Sequence, residues 1–126
     1  MRIDAERGTG PIITGLSASG FKVEAGSFKG VYRALTISPE GSTEWTPPPI
    51  EALDPAALGA VLDTDPAPEF LLLGTGATLQ RPSPAFIRAL EARGIGVEAM
   101  DSRAAARAWA VLRGEGRWVI GAFYPL

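Results

Sequence analysis

The period of the hydrophobic positions changes about halfway along the chain. Before three consecutive prolines at Pro47–Pro49, apolar residues alternate with polar ones, as Phe21 and Val23 do with their charged neighbours. This is the period of a half-buried strand. A second alternation places Val31, Leu35 and Ile37 on one strand face. The pattern therefore predicts an antiparallel β-meander before the prolines.

Beyond the prolines the apolar spacing becomes helical. Asp54-Pro55 and Ser83-Pro84 each place a capping side chain in front of a proline, which is typical of a helix start. A third helix begins at Asp101 or Ser102. Its apolar stripe consists of Ala105, Ala108, Trp109 and Leu112.

Three apolar segments between these helices predict strands. Phe70–Leu73 is an unbroken apolar run, as expected for a strand covered on both faces. The other two predicted strands are Ile95–Met100 and Trp118–Tyr124. Strands that alternate with helices favour a parallel sheet with right-handed crossovers.

The expected architecture is a three-layer α/β fold. A central mixed sheet carries helices on both faces, and the N-terminal antiparallel β-meander lies along one edge or face. We expect residues 12–126 to form a single domain. Residues 1–11 are polar and glycine-rich, and we expect them to form a flexible arm.

Composition excludes more chemistry than it identifies. The chain of 126 residues has no cysteine and no histidine, so thiol chemistry and the serine–histidine–aspartate triad are absent. We predict no metal and no cofactor. A net charge of −2 gives no indication of nucleic-acid binding. The chain has neither an apolar run of membrane-spanning length nor a secretory signal, which predicts a cytoplasmic protein.

Seven residues form a candidate ligand or partner site at the ends of the predicted parallel strands, where open α/β sheets bind ligands. They are Gly74, Thr75, Gly76, Glu98, Asp101, Ser102 and Arg107. No catalytic residue stands out among them.

Each part of this candidate site also has a structural interpretation. The Gly74–Gly76 segment forms either a ligand-contacting loop or a plain turn. Free N–H groups after Asp101 suit an anion, but that carboxylate also caps the helix. Arg107 is either solvated or paired with Glu98 or Asp101. Arg81 is placed so that it can contribute to the same candidate site at the strand ends.

Several blocks of the chain resemble one family in order and spacing. They are Leu71–Gly76, Pro82, Gly94–Ser102, Ala104–Arg107 and Glu115–Arg117. The family is that of mitochondrial respiratory complex I assembly factor three and its bacterial relatives of unknown function. The resemblance implies a three-layer α/β fold. It also implies a role through protein partners, such as a membrane-complex subunit or another assembly factor.

The sequence departs from that family in the third helix. The family usually has Cys-Arg-Thr-Tyr-Asn where this chain has Ala106, Arg107, Ala108, Trp109 and Ala110. The thiol and the amide are lost while the arginine remains, which favours binding over catalysis. Two functions stay open. One is a non-enzymatic protein-binding accessory factor, and the other is a small-molecule or anion-binding protein, with or without hydrolytic activity.

Overall fold

The computed structural model describes residues 10–126, and residues 1–9 of the predicted arm lie outside this range. The strands are β1 Ile12–Ser17, β2 Gly20–Ala25, β3 Phe28–Tyr32, β4 Leu35–Ser38, β5 Gly41–Glu44, β6 Phe70–Gly74, β7 Gly96–Met100 and β8 Ile120–Phe123. The helices are α1 Pro55–Leu58, α2 Pro84–Glu91 and α3 Ser102–Gly114. Short 3₁₀ helices occupy Ile50–Ala52 and Gly59–Asp63.

The three N-terminal strands form an antiparallel sheet of their own, in the order β1-β2-β3. Phe21 and Val23 of β2 are fully buried, because the alternation of this strand turns one face towards the core. The predicted meander is therefore confirmed.

The continuous strand predicted across residues 31–37 is wrong. The chain bends at residues 33 and 34, so that β3 and β4 lie in different sheets. Val31 is 53% exposed, whereas Leu35 and Ile37 are completely buried. Arg33 interrupts the alternation of apolar residues at the bend, and the segments on its two sides face different surroundings.

The larger sheet is mixed and has five strands in the order β5-β4-β8-β6-β7. β6 runs parallel to both β7 and β8, as the alternation of strands and helices predicts. β4 joins β8 in antiparallel fashion and continues into the hairpin with β5. The central mixed sheet is thus confirmed.

Helices cover both faces of this sheet, as expected. On one face Leu72 packs with Ala105 and Trp109 of α3 and with residues of the N-terminal sheet. On the other face Leu71 and Leu73 pack with side chains from α1 and α2. Successive residues of β6 therefore serve two separate cores, which explains why this strand is apolar at every position.

Each helix begins at the predicted capping residue. The side chains of Asp54, Ser83 and Asp101 accept hydrogen bonds from the backbone N–H groups of Ala57, Phe86 and Ala104, respectively. These bonds satisfy donors that a helix leaves free at its first turn. Between residues 10 and 126, none of the helices has the length and apolar character that a membrane crossing requires.

Candidate functional site

The carboxyl end of β6 meets the start of α3 in a buried hydrogen-bonded junction. Ser102 has no exposed surface. Its hydroxyl accepts a hydrogen bond from the Gly76 N–H at 2.9 Å and donates one to the Tyr124 carbonyl at 2.8 Å. The Ser102 N–H in turn donates to the Gly76 carbonyl at 2.8 Å. The junction thus joins β6, α3 and the end of β8.

Gly74 is needed here because α3 approaches the strand closely. A Cβ atom at this position would lie 2.9 Å from Ser102 Oγ and 3.2 Å from Ala105 Cβ, which is too close for any larger residue without a shift. The space between the Gly74–Gly76 segment and the helix start is therefore filled by protein atoms.

Thr75 shapes the loop that follows the strand. Its buried hydroxyl donates to the Thr78 carbonyl at 2.8 Å and accepts from the Gln80 N–H at 3.0 Å. Both hydrogen-bonding roles of the hydroxyl are thus used locally. Together with the Asp101 cap, these contacts place five of the seven candidate residues in one structural junction, in agreement with the turn and capping interpretations.

Glu98 lies away from this junction. It belongs to β7, which is the edge strand of the sheet. The side chain of Glu98 is exposed. It aligns with Leu72 and so projects on the α3 side of the sheet. An edge position lets a carboxylate stay in water, so that it needs no buried partner.

Arg107 also lies apart from the other candidates. It is exposed on α3 and borders a shallow groove between that helix and β1. Within residues 10–126 no ion pair joins it to Glu98 or Asp101. The structure therefore does not place Arg107 beside the other residues of the candidate site.

Open grooves lie instead on the two sides of the β7 edge. The α3-side groove has a volume of about 420 Å³. It is lined by Phe70, Leu72, Met100, Ala108, Val111 and Leu112, together with Glu98. Val111 is 60% exposed there. The lining of this groove is almost entirely apolar.

The α2-side groove is larger and carries positive charge. Its volume is about 560 Å³. It is lined by Arg81, Pro82, Pro84, Ile87, Arg88, Val97 and Ala99, with Glu98 at the shared edge. Arg81 and Arg88 are exposed, and in the described part of the chain neither forms an ion pair.

Sequence reasoning missed Arg88 and Val111 as members of these grooves. Val111 lies outside the apolar stripe of α3, and an apolar residue on the solvent side of a helix is the signal that identifies it. Arg88 has no such signal, because its neighbourhood depends on how α2 crosses β7.

A tyrosine next to the junction holds the proline-rich connection on the sheet. The Tyr124 hydroxyl donates to the Pro48 carbonyl at 2.7 Å. The ring packs edge-on against Trp45 at 5.1 Å between centroids. Burial, and secondarily the charge of Glu51, raise the pKa of Tyr124 to about 12. This phenol therefore serves as a neutral structural donor.

Comparison with known proteins identifies a family model that matches residues 13–124, described as a protein of unknown function (DUF498/DUF598). A Bordetella parapertussis crystal structure is 32% identical, with 94% of this chain and 98% of that chain covered and a TM-score of 0.76. A Xanthomonas campestris NMR structure is 33% identical, with coverages of 91% and 84% and a TM-score of 0.69.

A Bordetella pertussis protein described as a Mth938-like domain is 30% identical, with coverages of 90% and 85% and a TM-score of 0.65. No curated protein matches the chain.

Proposed function

This chain belongs to the DUF498/DUF598 family of proteins of unknown function, and we propose that it is a non-enzymatic accessory factor that binds another protein at the β7 edge. The α3-side groove carries this proposal. It combines an apolar lining with a sheet edge that no other strand of the described chain covers. An apolar groove beside an unpaired sheet edge suits contact with another protein chain.

The resemblance of the sequence to respiratory complex I assembly factors supports a narrower form of the proposal. In that form the partner is a subunit or an assembly factor of a membrane complex, and the chain acts on the cytoplasmic side of its assembly. The structural relatives identified above are bacterial proteins, so the partner in question is a bacterial one.

The proposal is tested by comparing two substitutions of exposed valines. Val111 is 60% exposed in the α3-side groove, and Val31 is 53% exposed on the N-terminal sheet. Glutamate at either position disturbs no core, but only Val111→Glu places a charge in the groove. We expect a native partner captured by the wild-type chain to be retained by Val31→Glu and lost with Val111→Glu. Equal capture by both variants would contradict the proposal.

A second candidate function, binding of a small anion, is favoured by the unpaired Arg81 and Arg88 in the α2-side groove. Two arginines suit a carboxylate or phosphate group. The Gly74–Gly76 loop and the Asp101 helix start are less suited to this role, because Ser102 fills the space between them. Titration with succinate and with phosphate, followed by amide NMR, tests it. We expect shifts at residues 81–88 that Arg88→Gln removes.

A further inference from the structure

The backbone of β7 forms an unpaired edge of the larger sheet in the described part of the chain, and this edge indicates what kind of partner can bind. β7 ends the strand order and pairs with β6 alone among the described strands. None of its five residues is buried, whereas all four residues of β8 are. The outward N–H and C=O groups of β7 have no backbone partner among the described residues, and such an edge is a template for another strand.

The side chains beside this edge differ in charge on the two faces of the sheet. A strand added to β7 would turn alternate residues towards the α3-side groove and towards the α2-side groove. The first groove is apolar with the single charge of Glu98. The second offers Arg81 and Arg88, which have no ion-pair partners within the described residues, with Glu98 at the edge that both grooves share. The two faces therefore favour different residues in an incoming strand.

The same charges disfavour a second copy of this chain as the added strand. Glu98 is the middle residue of β7, which spans Gly96–Met100. Two β7 strands related by a twofold axis at their centre would place Glu98 opposite its own copy. Like charges in directly opposed positions destabilise strand pairing, and a charge in the middle of an edge is a known protection against self-association.

We propose that β7 accepts an extended segment of its partner as an additional strand with a defined alternation. Residues that face the α3-side groove are apolar, with one lysine or arginine beside Glu98. Residues that face the α2-side groove are acidic and contact Arg81 and Arg88. Main-chain hydrogen bonds supply affinity in this mode of recognition, and the alternating side chains supply specificity. This inference rests on the proposed protein-binding function and specifies the chemistry of its partner.

The test uses the full chain and two fluorescein-labelled peptides of equal composition. The first peptide alternates valine with glutamate and has a central lysine on the valine face. The second has the same residues in blocks, which removes the alternation. We expect anisotropy titrations to show at least about tenfold tighter binding of the alternating peptide. Amide NMR should place its shifts on β7. Equal binding of both peptides would overturn the proposal.

Charge exchange tests the assigned contacts without disturbing the core, since Glu98, Arg81 and Arg88 are exposed. We expect Glu98→Lys to weaken binding of the alternating peptide about tenfold. A peptide with glutamate in place of its lysine should restore that loss. Arg81→Gln combined with Arg88→Gln should weaken binding by a similar factor, whereas the matched variant Arg103→Gln, on exposed α3 surface, should leave binding unchanged. Failure of the exchanged peptide to restore binding would contradict the placement beside Glu98.

Backbone methylation separates strand addition from binding through side chains alone. Two further peptides carry N-methyl groups on the odd or on the even residues, which blocks the N–H donors of one peptide edge at a time. We expect one of the two to lose binding and the other to retain it. Retention by both would overturn strand addition.

The peptide results are distinguishable from failure of the proposed function. Should a native partner be lost with Val111→Glu while no alternating peptide binds, strand addition is refuted and protein binding at this edge stands. Should capture be insensitive to Val111→Glu, the proposed function itself is refuted. Light scattering that gave a β7-dependent dimer, abolished by Glu98→Lys or Val111→Glu, would assign the edge to a second copy and overturn the inference.

Discussion

The junction of β6 and α3 depends on one hydroxyl group, that of Ser102, and on one glycine, Gly74. The Ser102 hydroxyl accepts from the Gly76 N–H and donates to the Tyr124 carbonyl. Gly74 has no side chain and so leaves the space that this hydroxyl occupies. Neither residue contacts an open groove. Their roles are therefore structural, and they are tested by stability rather than by binding.

Removal of the Ser102 hydroxyl should destabilise the fold. Ser102→Ala leaves the Gly76 N–H and the Tyr124 carbonyl without this buried partner, and we expect a loss of about 1–3 kcal/mol in the free energy of unfolding. Urea denaturation measures it. Ser17→Ala is the matched control, since that hydroxyl accepts one bond in an exposed turn and should contribute much less.

Two strand glycines should respond in opposite ways to alanine. At Gly74 a Cβ would meet Ser102 at 2.9 Å, whereas at Gly96 the nearest atom is Phe70 Cβ at an ordinary 3.5 Å. We expect Gly74→Ala to cost about 1–3 kcal/mol by overpacking. Gly96→Ala should be neutral or stabilise by about 0.5 kcal/mol, because it restricts the unfolded chain. Thermal melts of both variants, compared with the wild type, decide between these outcomes.

At the scale of elements, an exposed ion pair joins the segments that precede the parallel strands β6 and β8. Arg117 donates from Nε at 2.9 Å and from Nη2 at 2.8 Å to the Glu69 carboxylate. The Trp118 N–H donates to the other oxygen of the same carboxylate at 3.2 Å. The segment before β6 is thereby fastened to the segment before β8. The bond from Arg117, followed by that from Trp118, lowers the pKa of Glu69 below its usual 4.5.

The pH dependence of stability should reflect this carboxylate. Since the pKa of Glu69 is lower in the folded chain, its contribution is fully present above pH 4.5 and is lost as the pH falls through the folded value. We expect Glu69→Gln to lower the melting temperature at pH 7 and to match the wild type at pH 2. An unchanged difference for Glu69→Gln across this range would contradict the assignment.

For the whole molecule, one tryptophan connects the two sheets. Trp109 of α3 is completely buried in the core that also contains Phe21 and Leu72. Its Nε1 donates to the Pro11 carbonyl at 3.1 Å across 98 positions of sequence. The N-terminal sheet and the larger sheet therefore share one core, and we expect residues 12–126 to unfold in one cooperative step.

A substitution of this tryptophan tests that prediction. Trp109→Phe removes the bond to Pro11 and part of the core volume, and we expect a loss of about 2 kcal/mol or more. Melting curves followed by NMR signals of β2 and of β6 should move together to lower temperature. Loss of the β2 signals at a lower temperature than those of β6 would show two units instead of one.

The sequence by itself determined the three helices, the parallel strands between them and their order, but not the division of residues 31–37 into β3 and β4. Caps such as Asp54 and Ser83, and the apolar run of β6, act over a few residues, so their effect can be read locally. The parallel arrangement followed as well, because a strand–helix–strand unit has one favoured handedness. The same logic placed the ends of β6 and β7 on one edge of the sheet, and there residues 74–76 and 101–102 form a hydrogen-bonded junction.

Only the tertiary structure decided which surface is open. Strand order placed β7 at the edge, where Glu98 is exposed to solvent. Helix packing filled the expected crevice with Ser102 and brought Arg81 near Arg88. The bend after β3 sent β4 into another sheet. Each of these outcomes depends on contacts between residues far apart in the chain, and such contacts cannot be predicted from local hydrophobic spacing.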